Sequence, residues 1–209
     1  MSPPKVSIIR TGTANTASVL NAFTKLGATP ELTSDPKEVI EAQYVVLPGV
    51  GSFGAAMEEL VANDLVDPIV QRANSGKPLL AICVGLQVLC TSSEESPKSI
   101  GLGIVDASIT RFKNELPIPQ LGWNTIEIKS GCNAARAYLT PGEAYFANSY
   151  RLECVPPGFN VAMSCYGSPF VAGFERNGLL ACQFHPELSG RWGLELLESW
   201  LCQSGAMSC

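Results

Sequence analysis

Leu79-Leu80-Ala81-Ile82-Cys83-Val84-Gly85-Leu86-Gln87 opens as an unbroken apolar run and changes character at a cysteine with a small residue two places to either side. Gly76-Lys77-Pro78 resets the chain just before it. A short continuous apolar run behind such a break suits a strand buried on both faces, the kind found in parallel sheets. From Gly85 to Cys90 the pattern turns helical. A sharp strand-to-helix turn needs small neighbours around the residue at its tip, and Ala81 and Gly85 supply them. Such a turn lifts its side chain above the carboxyl ends of the strands, where open α/β sheets place their ligands. Cys83 is therefore a candidate nucleophile, and a helix start beside it favours the reactive thiolate. The plainer alternative is an inert core cysteine at a strand end.

Outward from this segment, short β-branched runs alternate with helical patterns, which predicts βαβ units around a parallel sheet. Val6-Ser7-Ile8-Ile9 and Tyr44-Val45-Val46-Leu47 read as strands. Residues 16–26 read as a helix closed by Gly27, and Asp35-Pro36 opens a second helix with proline at a tolerated first-turn position. Residues 53–60 and 65–73 are helical in pattern. The second half is expected to extend the sheet in antiparallel fashion through strands at 104–109, 125–128, 144–147, 161–164, 171–175 and 179–184. A helix over 194–202 closes the chain. The expected fold class is α/β, with an open, mixed, mainly parallel sheet flanked by helices and carrying an antiparallel extension. No linker divides it, so residues 1–209 are read as one domain.

His185 is the sole histidine of the 209 residues, so a cysteine–histidine mechanism has one candidate. It stands in Gln183-Phe184-His185-Pro186-Glu187, after the last predicted strand. Residues i and i+2 of an extended chain share a side, and Pro186 biases His185 towards an extended conformation. Glu187 is thereby expected to hold one ring nitrogen while the other faces a nucleophile. Pro48-Gly49-Val50-Gly51 ends a central strand at the same sheet edge as Cys83. Its glycines allow a backbone amide to approach a ligand, and with the amide of Val84 the Val50–Gly51 turn forms a candidate oxyanion site. A P-loop is excluded, because the terminal Lys-Ser/Thr is missing.

Bulk properties limit the partners. A formal charge of −5 and a pI near 4.9 disfavour a nucleic-acid groove or an anionic membrane surface. No apolar run approaches the ~20 residues that span a bilayer, and the N-terminal residues lack the form of a secretory leader. The eight cysteines contain no C-x-x-C pair and read as reduced thiols of a cytoplasmic protein. No residue cluster suggests a metal or a cofactor.

Together, Pro48-Gly49-Val50-Gly51-Ser52-Phe53, Ile82-Cys83-Val84-Gly85-Leu86-Gln87 and Gln183-Phe184-His185-Pro186-Glu187 resemble, in order and spacing, the class I triad-type glutamine amidotransferases, whose fold is flavodoxin-like. Glu95-Ser96-Pro97-Lys98, Leu121-Gly122-Trp123-Asn124 and Ser189-Gly190 are most similar to the glutaminases of imidazole glycerol phosphate synthase, and the Cys83 and Glu95 segments to the fused fungal form. The resemblance implies glutamine hydrolysis through a Cys83 thioester, with His185 as acid and base and Glu187 orienting it. It implies that Gln87 and Glu95 hold the amino-acid end of glutamine, with Ser149 and Tyr150 lining the pocket. It further implies ammonia delivery to a (β/α)8 cyclase barrel, present as a separate chain or a fused domain, with Trp123 and position 188 near the docking face.

Several positions depart from that family. Arg10-Thr11-Gly12 stands where Asp-Tyr-Gly is usual, Gln120 and Asn148 where histidines are common, Ala81 for an elbow glycine, and Leu188 for a lysine facing the synthase. No triad position changes. Two other readings stay open on sequence grounds: a glutaminase for another synthase, of the pyridoxal phosphate or aminobenzoate type, and a catalytically silent regulatory subunit.

Overall fold

The most apolar runs of the chain become neighbours at the centre of one sheet. A computed structural model describes residues 3–12, 15–113, 115–129 and 137–203. In it β1 (Lys5–Ile9), β3 (Tyr44–Leu47), β4 (Leu79–Ile82) and β12 (Leu179–Cys182) lie side by side, buried at almost every position. Two-sided burial explains why these runs do not alternate: helices cover both faces. The nine-stranded sheet continues as β2 (Thr29–Thr33) outside β1, and as β11 (Pro169–Arg176), β10 (Asn160–Cys165), β7 (Gln120–Ile128) and β8 (Gly142–Asn148) beyond β12. Four pairings are parallel, from β2 to β12, and four are antiparallel, from β12 to β8.

The helices start where local chemistry lets them. α1 (Thr16–Lys25) is capped by the Asn15 side chain, α2 (Pro36–Glu41) by Asp35 ahead of its first-turn proline, and α3 (Phe53–Ala62) by Ser52. α4 (Val66–Ser75) ends on Gly76 in a left-handed conformation. α6 (Gly190–Gln203) packs Trp200 against Tyr44 and Phe23, and the Tyr44 hydroxyl donates to the Leu201 carbonyl at 2.9 Å. Arg72 of α4 is buried and donates to the carbonyls of Val39, Ala42, Gln43 and Pro78. It ties α4 to the C-terminal end of α2 and to the start of β4. Burial pushes its pKa down to about 10.

Five expectations are corrected. Thr29–Thr33 forms an unanticipated strand; its Pro30 is tolerated because β2 is the sheet edge. The helix after Cys83, α5 (Val84–Val88), stops before Cys90, which begins β5 (Cys90–Ser93). β5 joins β6 (Val105–Arg111) and β9 (Tyr150–Leu152) in a separate three-stranded sheet, so the strand expected at 104–109 does not extend the main one. β12 ends at Cys182 and pairs parallel with β4. Two fully apolar strands bury each other best at the sheet centre, and this seats the residues after β12 next to those after β4. Cys202 is disulfide-bonded, against the reading of reduced thiols throughout. Cys132 and Cys209 lie outside the described residues.

At Gly85 a Cβ would overlap the Leu47 carbonyl, whereas at Gly27 a Cβ meets nothing within 4 Å. Gly85→Ala is expected to destabilise the fold by about 3 kcal/mol, the upper end of overpacking costs. Gly27→Ala should cost about 1 kcal/mol, for its positive φ alone. Urea denaturation of the two variants checks the difference, and equal losses would contradict the close approach at the elbow.

Candidate active site

Three adjacent parallel strands deliver the three motifs to one edge. β3 runs into the turn 48–51, β4 into Cys83, and β12 into Gln183 and His185. Cys83 has φ 55° and ψ −109°, a left-handed backbone that a non-glycine residue adopts only under constraint. The constraint is visible on both sides. The Cys83 amide donates to the Cys182 carbonyl at 2.7 Å, and Gly85 presses against the end of β3.

His185 is 4% exposed and its Nδ1 lies 2.8 Å from Glu187 Oε1, whose side chain is 2% exposed. On its other side the ring interacts with the Cys83 side chain, which helps to hold its proton. The expected partnership is present, but strand alternation does not produce it. Pro186–Leu188 is a single 3₁₀ turn, and that turn folds Glu187 back onto the ring. β8 braces the segment: the His185 amide donates to the Tyr145 carbonyl at 2.9 Å. Ser189 Oγ accepts from the Tyr145 amide at 3.0 Å and donates to the His185 carbonyl at 2.6 Å. Burial alone lowers the His185 pKa. Its hydrogen bonds to Cys83 and Glu187, and their charges when ionised, outweigh that and raise it to about 10.

The turn at 48–51 packs directly on the elbow, and a Cβ at Gly49 would come within 2.7 Å of the Gly85 nitrogen. The Val84 amide is engaged here, donating to the Gly49 carbonyl at 3.3 Å. Thr11 Oγ1 donates to the Pro48 carbonyl at 3.1 Å, anchoring the same turn to the loop after β1. One carboxylate oxygen of Glu95 accepts from the Phe53 amide at 2.7 Å. Gln87, one turn beyond Cys83, is 3% exposed and reaches the Tyr150 carbonyl. At the β8–β9 junction Ser149 gives its carbonyl to the Phe112 amide. Gln183, fully buried, was not singled out as a site residue, yet its Nε2 lies 3.7 Å from the Cys83 sulfur. Nothing in a lone glutamine marks such a contact; its place two residues before His185 was the available signal.

Residues 8–203 match the glutamine amidotransferase class-I family. The chain is 37% identical over 205 residues to "Imidazole glycerol phosphate synthase subunit HisH" of Symbiobacterium thermophilum, covering 98% of this chain and 95% of that one. The chain is a class I glutamine amidotransferase. It is also 36% identical to "Imidazole glycerol phosphate synthase hisHF" of Schizosaccharomyces pombe, covering 94% of this chain and 38% of that longer protein. A solved glutamine amidotransferase structure superposes with a TM-score of 0.74 at 18% identity, over 96% of this chain and 98% of that one, a likeness of fold.

On this class I glutamine amidotransferase, Trp123 is 58% exposed and packs edge-on against Tyr145, so core packing is not its role. Leu121, two residues earlier on β7, is 68% exposed, and Leu188 is 39% exposed. A Cβ at Gly190 would lie 3.6 Å from the Trp123 ring, so the indole reaches the turn that follows Glu187 and Leu188. No helix among the described residues is long and apolar enough to cross a membrane.

Because the folded His185 pKa lies above its ordinary value, the protonated ring's contribution to stability is complete below about pH 6.5. It is lost as pH rises towards about 10. Relative to His185→Gln, the wild-type chain should be most stabilised near pH 6 and lose that advantage by pH 10. Denaturant midpoints of both proteins across this range check it; a gap that widens with pH would contradict the assigned interactions.

Proposed function

We propose that this chain, as one domain, is the glutaminase of an imidazole glycerol phosphate synthase and supplies ammonia to a (β/α)8 cyclase barrel, as a separate or a fused partner. The observation that carries the glutaminase chemistry is a buried cysteine, held at positive φ, in contact with a histidine whose other nitrogen faces a carboxylate. The names of the relatives, matched over nearly the whole chain, support the pathway.

The geometry supports the following course. Glu187 accepts from Nδ1–H, which leaves Nε2 for Cys83 and favours the imidazolium–thiolate pair. The thiolate attacks the side-chain carbonyl carbon of glutamine, and the C=O electrons move onto oxygen. As the tetrahedral intermediate collapses, the imidazolium gives its proton to the amide nitrogen and ammonia leaves, with a γ-glutamyl thioester remaining on Cys83. The neutral ring then takes a proton from water, whose oxygen attacks the thioester. Glutamate departs and the thiolate returns.

The Val84 amide is the natural oxyanion donor, together with an amide of the Val50–Gly51 turn, but it is engaged by the Gly49 carbonyl. The turn must shift before the oxyanion can bind, so the resting site is gated. The apolar residues Leu121, Trp123 and Leu188 form the docking patch for the barrel, next to the turn that holds Glu187. An apolar Leu188 in place of the usual lysine makes this contact hydrophobic rather than ionic. Docking there, communicated to the turn 48–51, frees the Val84 amide.

Glutamine hydrolysis, measured with and without a purified imidazole glycerol phosphate cyclase barrel, tests the proposal. The isolated chain should be slow and rise by about 10²–10³, the worth of an oxyanion donor. Trp123→Ala should raise the half-saturating barrel concentration by about 30-fold, as a buried interface tryptophan does, with the saturated rate retained. Full activity without the barrel would remove the gate. Activation only by another synthase would move the chain to another pathway, and inactivity under all conditions would favour a silent subunit.

A further inference from the structure

A line of side-chain amides runs from a backbone carbonyl to the nucleophile. Gln87 Nε2 donates to the Tyr150 carbonyl at 3.3 Å and to Gln183 Oε1 at 3.1 Å, and Gln183 Nε2 donates to Cys83 Sγ at 3.7 Å. Asn148 Nδ2 donates to the same Tyr150 carbonyl at 3.0 Å. Gln87, Asn148 and Cys83 are each at most 4% exposed, and Gln183 is fully buried.

The direction of this line follows from elementary chemistry. A backbone carbonyl only accepts, so the atom that Gln87 turns to Tyr150 must be its nitrogen. That nitrogen also faces Gln183, which must answer with oxygen. The remaining end of the Gln183 amide, against sulfur, is then its nitrogen. Both Gln87 N–H groups are engaged, and what Gln87 has left for a ligand is an acceptor.

We propose that Gln183 is a positioning residue that aims a hydrogen-bond donor at the Cys83 sulfur and, through Gln87, fixes an acceptor towards the substrate. This rests on the glutaminase reading and adds to it. A donor on sulfur favours the thiolate over the thiol, because the charged form accepts the stronger hydrogen bond. It also holds the sulfur at the tip of the elbow from the side of β12, the strand that delivers His185. The acceptor on Gln87 suits the α-ammonium group of an amino acid. One buried amide thus couples the state of the nucleophile to recognition of the substrate's charged end. Among the described residues, the ionisable group that interacts with Cys83 is His185, backed by Glu187. Neither is altered by a substitution at Gln183. Glu95 is held by the first turn of α3, and Tyr150 contributes its carbonyl rather than its phenol.

The test is the pH dependence of Cys83 alkylation by iodoacetamide, read from the peptide that carries Cys83, in the wild type, Gln183→Met and Gln183→Glu. Loss of the donor should move the midpoint of the profile to higher pH in Gln183→Met. A carboxylate against the sulfur should move it further in Gln183→Glu. At a pH below the midpoint, a shift of one unit is about a tenfold slower reaction. Gln87→Met keeps Gln183 but frees its amide to turn, and should give a smaller shift of the same sign even if the Gln183 variants fold poorly. With active protein, KM for glutamine should also rise in Gln183→Met. Unmoved Cys83 profiles in the folded variants would overturn the proposal. Alkylation needs no turnover, so a wild-type chain inactive towards glutamine would end the glutaminase reading and leave the profiles to decide the role of Gln183.

Discussion

The Leu47 carbonyl fills the space that a side chain at position 85 would need, and the chain leaving β4 must therefore turn over a bare glycine. That contact, with the 2.7 Å bond from the Cys83 amide to Cys182, holds Cys83 in a backbone conformation that costs of order 1–3 kcal/mol. Such strain persists because three buried parallel strands surround it: β3 beneath Gly85, β4 before the turn, and β12 alongside. Those same strands lead into the turn 48–51, Cys83 and the segment that carries His185. The site is a consequence of strand order. If β12 were displaced by one position, His185 would no longer reach Cys83.

Around this fixed point the polar groups are held from different sides. His185 and Glu187 are locked by a 3₁₀ turn and by β8, through the Tyr145 backbone and the Ser189 hydroxyl. The Gln183–Gln87 pair is locked from the other side by the Tyr150 carbonyl. The turn 48–51 accepts from both sides: Thr11 Oγ1 donates to the Pro48 carbonyl, and the Val84 amide to the Gly49 carbonyl at 3.3 Å. The exposed Trp123 meets the braced segment, through Tyr145 and the turn at Gly190.

Much of this was legible from the order of residues, for physical reasons that differ by element. Runs such as Tyr44-Val45-Val46-Leu47 and Leu79-Leu80-Ala81-Ile82 announce two-sided burial, and Ala81 and Gly85 announce a tight turn. β2 was hidden because Thr-Pro-Glu-Leu-Thr is only half buried and includes a proline that an edge strand alone accepts. The direction of β12 was hidden because direction depends on neighbours, which local composition does not encode. His185 and Glu187 were paired correctly through the wrong geometry, since a strand and a 3₁₀ turn can both bring i and i+2 together. The contact of Gln183 with sulfur had no local sign beyond its place two residues before His185. Its meaning comes from a carbonyl 33 positions earlier in the chain, at Tyr150, that only the fold brings near.

The central claim is that Cys83 is the nucleophile that glutamine meets. A diazo-ketone analogue of glutamine, incubated with the chain and the cyclase barrel and followed by peptide mapping, tests it most directly. The account predicts a single adduct at Cys83, prevented by glutamine and absent in Cys83→Ala and His185→Ala. Label spread over the other cysteines, or none at Cys83 with the barrel present, would contradict it.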